Sequence, residues 1–179
     1  MQKKSRFLGG LLSAFLLTGA AATAAEAACT QANLTGRWLL HGMNDDGGIS
    51  AAVQCLIKIQ AGGRVAAGAK CLATRSTEQG EIEKSIGVTQ VRAIKIRPNC
   101  SVYGGLKFKT NIQEVRDGIN FQLKATTLIN IKSGQLNRGK DIVTAVSQDS
   151  IKGVLISDLY PEPIPQESRS VTYFTLTKM

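Results

Sequence analysis

The stretch CLIKIQAGGRVAAGAKC, residues 55–71, decides how this chain folds. Just ahead of and inside it, Val53, Cys55, Ile57 and Ile59 share one parity, and Gln54, Leu56 and Lys58 share the other. Alternation with period two marks a strand with one dry face. A hairpin on a three-residue loop, Gly62-Gly63-Arg64, sets Ala61 against Val65, Ile59 against Ala67, Ile57 against Ala69 and Cys55 against Cys71. Every residue of the apolar parity then meets another of that parity, and glycine supplies the left-handed backbone that the loop needs. Directly opposed cysteines lie within reach of a disulfide. The register therefore predicts a Cys55–Cys71 bridge, which leaves Cys29 and Cys100 for a second one that pins the N-terminus. Four cysteines allow three pairings, and the register chooses among them. A zinc site would want ligands two to four residues apart with histidines nearby, but His41 is the single histidine. Redox chemistry would want a Cys-x-x-Cys, which is absent.

The same period recurs along the chain. Val102, Leu106 and Phe108 alternate with Tyr103 and Lys107. In 119–131, Ile119, Phe121, Leu123, Ala125, Ile129 and Ile131 hold one parity against Asn120, Gln122, Lys124, Thr126, Asn130 and Lys132, and only Leu128 breaks the pattern. Shorter strands are expected at 36–41, 64–73, 86–97, 141–147, 151–157 and 170–177. The parity of 86–97 changes between Val88 and Val91 and again before Ile94, which predicts a bulge or a break. Turn clusters separate the runs: NDDGG at 44–48, AGG at 61–63, RDG at 116–118 and SGQLNRG at 133–139. No helical period of ten residues occurs, although a short helix fits in 76–84 or 111–116. The expectation is an all-β fold, a small antiparallel β-barrel of 8–10 strands. Closure leaves no unpaired strand edge.

Lys3, Lys4 and Arg6 precede an apolar run, 7–24, and then Ala25-Glu26-Ala27, a small-x-small cleavage site. That order is a secretory signal peptide, residues 1–27, ahead of a single domain, 28–179. Gly9, Gly10, Ser13, Thr18 and Gly19 interrupt the run and argue against a retained transmembrane helix. Lipid attachment at Cys29 is the other alternative, and Glu26 in the lipobox argues against it. The expected location is the periplasm or the extracellular space. No later run is long and apolar enough to span a membrane as a helix.

Charge is uneven. Residues 28–83 carry five basic and five acidic side chains, 84–140 carry eleven and two, and 141–179 carry three and five. Lys95, Arg97, Lys107, Lys109, Lys124 and Lys132 lie opposite an apolar parity, so they are expected to share an outer, basic surface. Such a surface attracts lipopolysaccharide, acidic glycans or anionic lipid. Nucleic acid is disfavoured, because aromatics make up 5% of the chain and no stacking motif is present. In YPEPIPQE, 160–167, Pro161, Pro163 and Pro165 stiffen an extended segment that begins at Tyr160. It reads as a rim loop that meets a partner or as a rigid connector into the last strand.

Other signals carry less chemistry. GQLNRGKD, 134–141, approaches a phosphate-binding loop, but Asp141 replaces the hydroxyl and a strand-like DIVTAV follows instead of a helix. It reads as a hairpin turn. His41 has no nucleophile or carboxylate placed with it by a motif. Asn44, Asp45 and Asp46 lack the spaced ligands of a calcium loop. No catalytic residue, metal or cofactor is expected.

LTGRWLLHG, 34–42, resembles the first strand of lipocalin-type (calycin) β-barrels, with their G-x-W signature at Gly36 and Trp38. The continuation through Cys55 and Cys71 is similar to small bacterial periplasmic inhibitors of secreted metalloproteases, over residues 34–72. The resemblance implies a lipocalin-like barrel with Trp38 and Gly36 plugging one end. It also implies an arginine near the last strand packed on the tryptophan, for which Arg169 is the nearest candidate, and a non-enzymatic role. The functional expectation is an exported β-barrel that binds a small apolar ligand or an anionic cell-envelope component, with a periplasmic or secreted protease inhibitor as the alternative.

Overall fold

The computed structural model describes residues 28–45, 50–76 and 82–179. The signal expected at 1–27, positions 46–48 of the NDDGG turn and residues 77–81 of the helix considered at 76–84 lie outside the described residues.

One turn of helix, α1 (Gln31–Leu34), precedes ten strands: β1 (Gly36–Asp45), β2 (Ser50–Ile59), β3 (Arg64–Val65), β4 (Lys70–Ser76), β5 (Ile82–Gln90), β6 (Arg92–Ile96), β7 (Val102–Arg116), β8 (Ile119–Asn137), β9 (Ile142–Ser157) and β10 (Ile164–Lys178). All described pairings are antiparallel, and the sheet is ring-like, because β1 pairs with both β10 and β2. One rung can be followed round it: Leu40, Cys55, Cys71, Gly87, Thr110, Ala125, Gly153, Gln166. Leu40 pairs on its other side with Leu176, so the circuit returns to β10 ten residues away (176 − 166). A stagger of this kind accompanies closure of tilted strands, and the fold is compatible with a β-barrel. The same stagger carries β7 to β10 to the turn at Asp117-Gly118 and the connection at 158–163, where Asn120 Nδ2 donates to Asp158 Oδ2 at 2.6 Å.

The alternation dictates which side chains fill the ring. Trp38, Leu40, Cys55, Ile57, Ile59, Cys71, Leu106, Phe108, Ile129, Val143, Phe174 and Leu176 all point inward and are buried. The apolar set is concentrated toward the end at which β1 begins. There α1 covers the ring, Leu34 is fully buried, and the Trp38 Nε1 donates to the Leu34 carbonyl at 2.7 Å. Truncating a buried tryptophan of this kind costs about 3–5 kcal/mol. This is the Trp38 end. The opposite, Tyr160 end carries the 117–118 turn and the 158–163 connection.

Several expectations change. Cys55 does face Cys71, but Ile59 faces Val65 rather than Ala67. The 64–73 strand is broken, because 66–69 loops out with Gly68 at φ +88°. The loop is held to β5, with Thr89 N–H donating to the Ala69 carbonyl and Gly68 N–H to the Thr89 carbonyl. β3 is thereby freed to pair with β6. The parity change in 86–97 is a break at Val91 between β5 and β6. Residues 111–116 are strand and not helix, because Asn111 to Arg116 pair rung by rung with Lys124 to Ile119. β8 continues through much of SGQLNRG, with a bulge between Ile131 and Ser133 that reverses the parity so that Leu136 turns inward. The 138–141 turn then leads directly into β9, with no helix after the glycine-lysine pair. Residues 141–147 and 151–157 belong to one strand. Pro165 sits in β10 near its start, beyond the reach of the β1 ladder as described, where a missing N–H is tolerated.

Two disulfides, Cys55–Cys71 and Cys29–Cys100, close loops of 16 and 71 residues, and no cysteine is free. Two such bridges suit an oxidising, exported environment. Among the described residues no helix is long and apolar enough to cross a membrane. Loop entropy predicts that the double substitution Cys55→Ala, Cys71→Ala costs about 3 kcal/mol and Cys29→Ala, Cys100→Ala about 4 kcal/mol. Urea denaturation of the two variants measures this. A larger loss at the shorter loop would contradict the entropic account.

Candidate functional site

On one side of the ring the inward parity turns polar, while β8 keeps Ala125, Leu123 and Phe121 half-buried on its inward parity toward the Tyr160 end. Above the apolar layers, on β9, β10 and β1, stand Ser147, Asp149, Thr172, Ser170 and Asn44. Asp149 is 4% exposed. The Thr172 hydroxyl donates to its Oδ2 at 2.5 Å and the Ser147 hydroxyl to its Oδ1 at 2.7 Å. Burial raises the Asp149 pKa above the usual 3.8, and the two hydroxyl donors, Thr172 before Ser147, offset part of that rise. Asn44 Nδ2 donates to Ser170 Oγ at 3.0 Å, while its Oδ1 is buried without a donor among the described residues. Gly42 makes room nearby, since a Cβ there would sit 2.8 Å from Val53 Cγ1 and 3.0 Å from Thr172 Cγ2. The polar groups form a hydrogen-bonded cluster inside the ring on β9, β10 and β1. Among the described residues, the carboxyl group of Asp149 is bonded by the hydroxyls of Thr172 and Ser147.

His41 is exposed on the outside of β1. It borders an open depression of about 710 Å³ that Met43, Thr144, Val146 and Tyr173 also line, over the β8 bulge. No carboxylate lines it. Among the described residues, no group of three or more His, Cys, Asp or Glu side chains could hold a metal ion.

The six basic residues singled out in the sequence lie on the outer faces of β6, β7 and β8, or in the case of Arg97 just after β6. Lys107 faces Leu128, Lys109 faces Thr126, and Lys124 faces Asn111, so these three stand close together. Lys95 faces Tyr103, and the Arg97 guanidinium lies 4.4 Å from the centre of the Tyr103 ring. Lys132 is the extra residue of the β8 bulge, on the same outer side. The two groups form one strip. It runs from Tyr103 to Asn111 along β7, about 26 Å at roughly 3.3 Å per residue. Arg92, which sequence reasoning passed over, joins it through Nη2 donating to Asn130 Oδ1 at 3.2 Å. Lys70 and Lys152 extend the charge sideways along the rung Lys70, Val88, Lys109, Thr126, Lys152. Their parity was readable, but their place beside Lys109 required the register. Among the described side chains no carboxylate stands on the strip. Glu167, on β10, is bonded to Lys152 at 2.8 Å, and that ammonium holds its carboxyl below the usual range. The pair is widely exposed and contributes little to stability.

Trp38 is buried at its end of the ring, and Gly36 begins β1 at φ +133°. The cation over the tryptophan is Lys178, 5.7 Å from the ring centre and directly opposite Trp38 in the ladder. Arg169 is not that cation: it is exposed on β10 opposite Ser150, nine residues before Lys178 and about 30 Å along the strand. Tyr160, Pro161 and Pro163 are exposed in the 158–163 connection, and Pro165 lies in β10 opposite Val154.

No family model matches this chain, and no curated protein matches it.

The Asp149 environment sets a pH dependence. Its folded pKa is raised, so the folded state keeps the proton over a range in which the unfolded chain has lost it. Stability therefore falls as pH rises from 3.8 through the raised value. Asp149→Asn is expected to remove that fall and to leave the protein more stable than the parent at neutral pH. Urea midpoints across acid to neutral pH test it, and superimposable profiles for the two proteins would refute it.

Proposed function

We propose that the protein is a non-enzymatic, exported β-barrel that binds an anionic component of the cell envelope on the outer strip of β6 to β8. The observation that carries this reading is the strip itself. Lys95, Arg97, Lys107, Lys109, Lys124 and Lys132 share one outer side, with Arg92 among them and no described carboxylate to neutralise them. Exposed cations held this close repel one another, and an anionic surface or polymer relieves that repulsion while releasing its own counterions. Tyr103 adds an exposed ring beneath Arg97. The interior favours a surface mode of binding. Toward Trp38 it is filled by side chains, and on β9 and β10 Asp149 is held by Thr172 and Ser147. In this reading the barrel is the rigid support, with Trp38 and α1 as its plug, as in the lipocalin-like arrangement.

A lysine beside an anionic surface contributes about 1 kcal/mol, so Lys107→Gln, Lys109→Gln, Lys124→Gln together should weaken binding about 100-fold at moderate salt. Co-sedimentation with anionic vesicles and retention on an immobilised acidic glycan measure this and separate the lipid source from the carbohydrate source. Undiminished binding by the triple variant would overturn the assignment.

A periplasmic or secreted protease inhibitor is the second reading, favoured by one observation. Leu159, Tyr160, Pro161, Glu162 and Pro163 form an exposed, proline-stiffened tip at the Tyr160 end. Titration against proteases secreted by the same cells decides it: stoichiometric inhibition that Tyr160→Ala weakens is expected, and full protease activity at micromolar protein would exclude it.

A further inference from the structure

Three neighbouring strands, β2, β4 and β5, carry large apolar side chains on the outward parity. Leu56, Leu72, Ile86 and Val88 point away from the ring and are exposed. The ladder makes them one patch. Leu72 stands directly opposite Ile86. Val88 follows Ile86 by two residues on β5, on the same side. Leu56 is two residues from Gln54, which faces Leu72, so it lies on the diagonal. Leu39, half-buried, faces Leu56 and continues the patch on to β1. Single exposed apolar residues are ordinary, whereas a contiguous group rimmed by polar ones marks an interaction site.

Lysines frame this patch. Lys70 faces Val88 from β4, and Lys109 faces it from β7. Lys84 precedes Ile86 by two residues on β5, and Lys58 follows Leu56 by two on β2. All four are exposed. Each stem therefore runs beside a leucine, isoleucine or valine, and a lysine so placed lays its methylenes along the apolar surface and carries its charge beyond it. Among the described side chains no carboxylate stands in the frame. Lys109 belongs to the basic strip as well, so patch and strip are continuous through the Val88–Lys109 rung.

The residue types choose among anionic partners. Sugars are held by hydrogen bonds and by stacking on aromatic rings, and the four exposed side chains of the patch are all aliphatic. A frame of one charge sign suits a surface of the opposite sign. Anionic lipid offers both things this face can use: phosphates for the lysines and hydrocarbon beneath them for the aliphatic chains.

We propose that the outer face of β2, β4 and β5 seats on an anionic lipid bilayer. Leu56, Leu72, Ile86 and Val88 enter the boundary between headgroups and acyl chains, and Lys58, Lys70, Lys84 and Lys109 meet the phosphates. Strands diverge round a ring, so β4 and β5 form the centre of the contact and β2 and β7 its shoulders. The proposal rests on the anion-binding reading, from which it selects lipid and to which it adds a face that charge alone does not identify.

The probe is a vesicle of equal parts phosphatidylglycerol and phosphatidylcholine, and the measurement is co-sedimentation of the full mature protein. Leu72→Ser with Ile86→Ser, both at exposed positions, is expected to weaken vesicle binding about tenfold or more. Independently, Ile86→Trp should shift its emission to the blue on vesicles and be quenched by brominated acyl chains. Tyr173→Trp, an exposed position on β10 beyond β1, should show neither effect. Vesicle binding that survives the serine pair but is lost with Lys107→Gln, Lys109→Gln, Lys124→Gln would overturn the insertion and keep the anion-binding reading. So would retention on an immobilised acidic glycan with no binding to vesicles. Binding to neither would overturn both. A dimer in sedimentation that the serine pair dissociates would assign the patch to a second copy of the chain and likewise overturn the proposal.

Discussion

The rung that joins Cys55 to Cys71 determines which side of the neighbouring strands is dry. Side chains alternate with a period of two, so a slip of one residue would turn every apolar residue of β2 and β4 outward. The bridge forbids that slip. Leu40 is tied to the same rung on one side and Gly87 on the other, and each passes the parity to the next strand. The apolar layers from Trp38 to Phe108 follow from this, and so does the outward placement of the lysines between them.

Inside the ring, β9, β10 and β1 carry a polar cluster with an electrostatic consequence. Asp149 is buried there and bonded to Thr172 and Ser147, and burial raises its pKa above the usual carboxylate value while the two hydroxyls offset part of the rise. The basic residues of β6 to β8 stand on the outside of the ring.

Much of this arrangement was legible in the residues. Cys55, Ile57 and Ile59 announced β2, and the run from Ile119 to Ile131 announced β8, because strict alternation admits few other readings. Trp38 was recognisable as a buried plug. What eluded the sequence depends on contacts between distant segments. The loop at 66–69 exists because Thr89 holds it, and Thr89 lies some twenty residues further on. The bulge at Lys132 and the choice of Lys178 over Arg169 as the cation on Trp38 are matters of register round the whole ring. The Asp149 cluster was missed because its partners, Ser147 and Thr172, come together only when β9 pairs with β10. Isolated serines and threonines carry no local signal for such a cluster. The basic strip was half visible: parity placed its lysines outside, and only pairing brought Lys95 and Lys132 together about Tyr103.

The nesting of the two bridges has a consequence for how the chain matures. In order of emergence the cysteines are Cys29, Cys55, Cys71 and Cys100, and the native pairs are first with fourth and second with third. An oxidant acting on thiols in the order they reach an oxidising compartment would join Cys29 to Cys55, across β1. The native pairing requires β2 and β4 to come together before Cys29 is captured, or a thiol catalyst to exchange the wrong pair afterwards. On the first route the Cys55–Cys71 rung removes both inner thiols and leaves Cys29 with Cys100 as its partner.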